Sequence, residues 1–331
     1  MSFDVRRIDP PARPAVVDER AIPEAEVDLG VELAGVTLTS PITSASGCFA
    51  SGTEIDRFYD VTELGAIVVK SVTREPREGL PTPRMAETPS GMLNAIGLQN
   101  PGIEQWLDRD LPWLADRGAR VIVSIAGNTV DDFRAVARRL AGHRAVVAIE
   151  VNLSCPNVED RGLVFACSPT DSSEVITAVA EEAVVPVFGK LTSDVTDIIA
   201  VAHAVVNAGA RGLTLINTLL GMAIDPETGK PELYNTYGGL SGPAIRPVAI
   251  RNVHQVHQAL PDVPILGCGG VRQVEDVIQF LRAGASAVAV GTATFVDPFI
   301  GPRLVGELRR WCAARGIRAL DELVGQVRPW R

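Results

Sequence analysis

The sequence predicts an α/β protein folded as a single (β/α)8 TIM barrel, and two observations predict it. Eight short apolar runs recur along the 331 residues, and helical patterns fill most of the intervals between them. Near-continuous Val/Ile/Leu runs, without clean alternation, suit parallel strands covered on both faces, and regular β/α alternation closes such strands into a barrel. The rival, a doubly wound sheet, usually shows GxGxxG after its first strand. Here that place reads ASGCFASG, which does not have that spacing.

In chain order the expected strands are PITSAS (41–46), AIVVKSV (66–72), RVIVSIAG (120–127), AVVAIEVNLS (145–154), PVFGKLT (186–192), GLTLINT (212–218), PILGCGG (264–270) and AVAVGTA (287–293). Helices are expected where apolar residues recur at three and four, as in DDFRAVARRLAG, SSEVITAVAEEA, VTDIIAVAHAVVNAGA, AIRPVAIRNVHQVHQAL and VEDVIQFLRAGA. Residues 1–28 hold Pro10, Pro11, Pro14 and Pro23 among mixed charges and are expected to form a flexible or surface-draped arm; 29–331 form the barrel domain. Three connections, after strands two, four and six, are long and rich in Pro and Gly. They are expected to carry lids or binding loops, or simply to pack over the barrel mouth.

Composition excludes several function classes. A net charge of −9 with no Lys/Arg run offers no field for nucleic acid. Apolar stretches stop short of the roughly 18 residues a membrane span needs, and no signal peptide is evident. Five cysteines without CxxC or Cys/His ligand spacing point to a reducing cytoplasm and to no metal site built by this chain alone. All four histidines fall in helical or linking segments, so a proton-transferring base must be another residue type.

The strand ends are chemically rich. They carry Ser46, Lys70 with Ser71, Ser124, Asn152, Lys190, Asn217 with Thr218, Gly269 with Gly270, and Gly291 with Thr292. In strand four, alternation puts Ala148, Glu150, Asn152 and Ser154 on the inward face and Val147, Ile149, Val151 and Leu153 on the helix-facing side. The glycines of GCGGV and VGTA let backbone N–H groups approach an anion at a helix start, the expected phosphate grip. Lys70 and Lys190 each close an apolar strand and need a partner there. One of them neutralises Glu150, or Lys190 stabilises negative charge on the N1/C2 side of a reduced flavin while Lys70 serves a substrate. The amides Asn94, Asn152, Asn157 and Asn217 both donate and accept, which suits a ring of alternating C=O and N–H groups.

The segments KSVT, NAIGLQNPG, NLSCPN, LINT, YGGLSGPAIRPVA, GCGGV and ASAVAVGTATF resemble, in order and spacing, the motifs of the dihydroorotate dehydrogenases, and most nearly the class 1B catalytic subunit, from about residue 29 to 312. The resemblance implies FMN in the barrel mouth and oxidation of dihydroorotate to orotate in pyrimidine synthesis. It makes Cys155 the base at C5 while a hydride leaves C6 for flavin N5. It places FMN contacts on Ser46, Lys70, Ser71, Asn152, Lys190, Ile216, Gly242, Gly269, Gly270, Gly291 and Thr292. Substrate contacts fall on Lys70, on Asn94, Ala95, Ile96, Gly97 and Leu98, and on Asn152, Asn157, Asn217 and Thr218. It also implies a homodimer or heterotetramer with a second subunit that carries FAD and a 2Fe–2S cluster and reduces NAD. Alternatives are a related flavin barrel acting on another pyrimidine, a class 1A type using fumarate alone, a flavin-free phosphate-binding lyase or isomerase, and a binding-only barrel. The chain departs from the family pattern at VEDRGLVFACSP, KLTSDV, ASGCF and the Pro-rich arm.

Overall fold

The computed structural model describes residues 21–154, 165–328 and 330. A hairpin of β1 (Val31–Leu33) and β2 (Val36–Leu38) precedes the first barrel strand, β3 (Ile42–Ser44), and then β4 (Ile67–Val68). Two strands outside the barrel follow, β5 (Met85–Thr88) and β6 (Gly91–Asn94). The barrel resumes with β7 (Val121–Ile125), β8 (Val146–Asn152), β9 (Val187–Leu191) and β10 (Gly212–Leu215). After a second outside pair, β11 (Leu219–Gly221) and β12 (Gly238–Ser241), β13 (Ile265–Cys268) and β14 (Ala287–Val290) complete the ring. The eight barrel strands run β3-β14-β13-β10-β9-β8-β7-β4, every neighbouring pair parallel.

The helices are α1 (Ile103–Gln105), joined through a π-helical turn at Trp106–Asp110 to α2 (Leu111–Asp116), then α3 (Val130–Leu140), α4 (Pro169–Glu182), α5 (Ile198–Asn207), α6 (Arg246–Ala259), α7 (Val274–Ala283) and α8 (Ile300–Ala313). All eight expected strands form. The strict alternation breaks once, because the β3–β4 crossover holds only 3-10 turns at Ile55–Arg57 and Val61–Glu63. That interval is interrupted by glycine at 47, 52 and 65, which disfavours a continuous helix. None of the helices is long and apolar enough, among the described residues, to cross a membrane.

Two apolar clusters follow from strand alternation. Outward side chains such as Ile149, Val151 and Leu153 pack with the helices, and inward ones such as Ile122, Ala148, Phe188, Leu266 and Ala289 fill the barrel. Leu33 and Leu38 of the hairpin join the inner cluster. Val147 differs from its expected outward position: the β7–β8 register passes from Val121↔Val146 to Ile122↔Ala148, and the skipped Val147 packs against the inner cluster. Such an extra residue bends its strand and re-aims its neighbours. Phe188 and Gly212 are partners across β9 and β10, and a Cβ at Gly212 would lie 2.2 Å from the Phe188 ring.

The long connections after β4 and β10 are not loops alone. They pair with each other as an antiparallel sheet, β11-β12-β6-β5. Of the expected arm, residues 21–28 lie along α8 and the C-terminal segment: Ile22 N–H donates to Ala313 O (2.9 Å), Asp28 N–H to Arg318 O (2.8 Å), and Val27 is buried.

Closure depends on a thin seam. β4 is two residues long, and β3 meets it through one bridge, Thr43↔Ala66, and through Gly65 N–H donating to Ile42 O at 2.9 Å. The buried Ser44 hydroxyl supplies the rest, accepting from Val68 N–H at 2.8 Å and donating to Val68 O at 3.1 Å. Ser44→Ala leaves both backbone groups unsatisfied in the interior. It is expected to lower stability by about 1–3 kcal/mol, read as a reduced urea midpoint with unchanged slope; Phe188→Ala, which empties the barrel centre, is expected to cost about 3–5 kcal/mol in the same assay.

Candidate active site

Because all eight strands are parallel, their C-terminal ends share one face, and a cavity of ≈ 240 Å³ opens there. That is roughly twenty times the ~10–15 Å³ one water needs, which leaves room for a small molecule. Ser46 reaches it from beyond β3, Lys70 and Ser71 from beyond β4, Asn152 from the end of β8 and Lys190 from β9. Ile216, Asn217 and Thr218 follow β10 into the wall, Gly269 and Gly270 follow β13, and Gly291 and Thr292 follow β14. The outer sheet covers one side with Asn94 and with Gly242, just past β12.

Beyond Asn94, where β6 ends, the expected contact segment splits. Ile96 and Leu98 line the cavity, while Ala95 and Gly97 do not. Ala95 N–H donates to Arg84 O (2.9 Å), and a Cβ at Gly97 would meet Leu80 N at 2.8 Å, so these two face the 80–84 segment instead. Cys155 and Asn157 lie outside the described residues.

The amides form a directed network. Asn152 Oδ1 accepts from Asn217 Nδ2 (3.1 Å) and from Ser154 N–H (3.3 Å). Both of its lone pairs are then used, so Asn152 offers a ligand only N–H donors. Asn217 Oδ1 accepts from Thr218 N–H (2.8 Å), which leaves Asn217 one N–H and one lone pair by the same count. Asn94 Nδ2 donates to Gly239 O at 3.2 Å, tying its side chain to the outer sheet. Ser71 is held from behind by Ser124, Oγ to Oγ 2.9 Å.

Lys190 is the most enclosed charge in the wall, 5% exposed. Its Nζ donates to Ser46 Oγ at 2.9 Å and lies 3.6 Å from Glu150 Oε1. Burial pushes this ammonium down, but the Glu150 carboxylate, with smaller contributions from Cys268 and Cys48, outweighs it, and the group stands above the ordinary lysine range. Lys70 is half-buried, its Nζ 3.8 Å from where a Cβ on Gly47 would sit. No Asp or Glu is among the described lining residues.

Outside the NLSCPN motif, Cys48, Cys167, Cys268 and Cys312 are each expected from sequence to be small buried apolar residues, which holds for Cys312 and fails for Cys167, which is exposed. Cys48 and Cys268, read the same way, line the cavity. Burial pushes the Cys48 thiol up to about 12 and also raises Cys268, so both stand in the wall as neutral thiols. Their place in ASGCF and GCGG, at two strand ends, was the available signal. Met85, Met92, Ser241 and Phe295 also line the cavity. The first three lie in or beside strands of the outer sheet, which no local pattern announced. None of the four histidines lines the cavity.

Glycine is required at three turns of the wall. Gly242, Gly269 and Gly270 have φ of 91°, 135° and 77°, and a Cβ on Gly270 would lie 2.7 Å from Gly242 O. Beside them the 3-10 turn Thr292–Phe295 begins. Its first N–H groups have no acceptor within the turn.

Comparison with known proteins places this architecture. The family model described as dihydroorotate dehydrogenase matches residues 28–311. The chain is 51% identical over 303 residues to the protein of Geobacillus kaustophilus named dihydroorotate dehydrogenase B (NAD(+)), catalytic subunit, covering 92% of this chain and 96% of that one. It is 54% identical over 295 residues to the protein of the same name from Listeria monocytogenes, covering 89% and 97%. A solved structure of DHODH from Eimeria tenella in complex with ferulenol shares the fold, with a TM-score of 0.75 at 24% identity over 93% of this chain and 89% of that one. With the family model spanning most of the barrel and relatives more than half identical, the chain belongs to the dihydroorotate dehydrogenase family.

Proposed function

We propose that this chain is the catalytic subunit of a class B dihydroorotate dehydrogenase, oxidising dihydroorotate to orotate on bound FMN. One observation carries the reading: Lys70, Asn152, Lys190 and Asn217 converge in one cavity, in a chain 51% and 54% identical to proteins that bear that name.

The residues present fit FMN. Glycine turns at Gly242, Gly269 and Gly270, together with the start of Thr292–Phe295, suit a phosphate. Ser46, Ser71 and Lys190 offer polar groups deeper in the same cavity, and Ile216 an apolar wall. FMN, when bound, supplies the hydride acceptor. Asn152 donates to a ring carbonyl of the ligand, and Asn217 offers it one donor and one acceptor. Thr218 and the Asn94, Ile96 and Leu98 side chains close the substrate end, with Lys70 giving positive charge to an anionic substrate. Cys155, in the NLSCPN motif, is the base that takes the C5 proton. A thiol suits the task, since its reference pKa of about 8.5 leaves a small thiolate fraction at neutral pH that nearby positive charge enlarges.

The electrons leave through a second subunit carrying FAD and a 2Fe–2S cluster, with NAD as acceptor. The relatives' names, with "catalytic subunit" and "NAD(+)", support this, and so does the absence of a dinucleotide fingerprint in the sequence. A cytoplasmic setting is supported by the four described cysteines, all free thiols.

Anaerobic dihydroorotate is expected to bleach a yellow cofactor bound to the purified chain; a colourless protein that cannot be reconstituted with FMN overturns the reading. Cys155→Ala is expected to keep its flavin and lose nearly all turnover at neutral pH, and undiminished turnover refutes the assignment. Asn217→Ala is expected to lower kcat/KM about fivefold or more, the scale of a lost hydrogen bond of about 1 kcal/mol or above. Steady-state NAD reduction is expected only with the second subunit present, whereas brisk fumarate reduction by the chain alone points to the class A type.

A further inference from the structure

Glu150 is a buried charge that the proposed chemistry does not use. It is 1% exposed, sits in β8 one layer below Asn152, and does not line the cavity. Across the β8–β9 pairing Asn152 stands opposite Lys190 and Glu150 opposite Phe188, so the carboxylate lies on the barrel side of the lysine and the cavity on the other. At 3.6 Å the Lys190–Glu150 contact is longer than the ~2.7–2.9 Å of a direct charge-assisted hydrogen bond. Glu150 Oε1 has no hydrogen-bond partner among the described residues.

Stability gives no reason to keep such a group. Replacing a buried ion pair by well-packed apolar side chains is often neutral or favourable, and an unsatisfied buried oxygen is a cost. Charge control gives one. A lysine enclosed this deeply loses its proton unless an anion faces it. The titratable groups around Lys190 are Glu150 from β8, Cys268 from the end of β13 and Cys48 beyond β3; Lys70, beyond β4, acts on Cys48. Burial raises both thiols, and after burial the Glu150 carboxylate, 3.6 Å from Nζ, is the largest influence on Lys190.

We propose that Glu150 is a positioning residue that keeps Lys190 an ammonium at the cavity wall, and through it sets how readily a flavin bound there accepts electrons. The inference rests on the flavin reading of the cavity. Without the carboxylate, Lys190 is neutral over part of the accessible pH range and takes up a proton when negative charge arrives in the cavity, so electron uptake becomes coupled to one further proton.

The test is the midpoint potential of FMN bound to the full chain, measured between about pH 6 and pH 9 for the wild type and for Glu150→Gln. The wild type is expected to show only the flavin's own pH dependence. The variant is expected to show an additional tenfold change in the reduction equilibrium per pH unit within that range, about 30 mV per unit for a two-electron couple. If Glu150→Gln binds flavin with the wild-type midpoint and slope throughout, the inference is overturned and the flavin reading stands. If the wild-type chain holds no flavin, both fall. Should Glu150→Gln fail to fold, the double variant Glu150→Gln, Lys190→Met, with no charge left unpaired, replaces it. A bound flavin at least tenfold harder to reduce than in the wild type supports the inference, and a wild-type potential in the double variant overturns it.

Discussion

Everything at the mouth depends on the ring being closed. Eight parallel strands gather their C-terminal ends around one enclosed mouth only if the first and second barrel strands, β3 and β4, meet, and here that meeting is narrow. The two-residue β4 cannot build a ladder against β3, so the Ser44 hydroxyl takes one donor and one acceptor of Val68. Gly65 allows the approach, since a Cβ there would lie 2.0 Å from Ser40 O. The same seam fixes where Ser46 and Lys70 emerge, the first just past β3 and the second just past β4. The hydroxyl that Lys190 contacts is thus set by a backbone contact deeper in the barrel.

A second constraint shapes the substrate end. The outer sheet joins segments about 145 residues apart, as in the Asn94–Gly239 and Leu93–Leu240 pairs, and so ties the connection after β4 to the one after β10. Glycine at 239 lets β12 lie against Thr218, where a Cβ would come within 2.2 Å of the Thr218 hydroxyl. Asn94 and Thr218, both expected at the substrate, are therefore neighbours through backbone pairing and not through the barrel. Leu98 holds a positive φ of 58°, an uncommon backbone conformation for a non-glycine residue, at the far end of the same wall.

The barrel was legible because its signals are local: an apolar run, a helical repeat and a polar strand end each fit within a dozen residues. The inward placement of Glu150 and Asn152 was legible for the same reason, from alternation alone. The outer sheet was not. Its strands are short, two of them are rich in glycine and polar residues, and the pairing that joins its halves, β6 with β12, links distant segments, so no window of sequence contains that pairing. Ala95 and Gly97 were assigned with their neighbours because a motif is contiguous, whereas the chain here packs those two residues against the 80–84 segment. Cys48 and Cys268 were passed over because a cysteine without a partner reads as a small apolar residue, and only their convergence beside Lys190 makes them part of the wall.

The charge distribution carries the argument one step further. The chain as a whole is acidic, at −9, yet the described lining of the cavity holds Lys70 and Lys190 and no carboxylate. In an enclosed, weakly screened site a fixed pair of ammonium groups outweighs the distant surface charge. Such a wall attracts anions that the rest of the surface repels, and a phosphate-bearing cofactor and a carboxylated substrate are both of that kind. The carboxylate most nearly able to cancel this field, Glu150, stands behind Lys190 and outside the lining. From there it stabilises the lysine's charge while standing farther from the cavity than the ammonium does, so the lysine's charge is the nearer one to anything in the cavity.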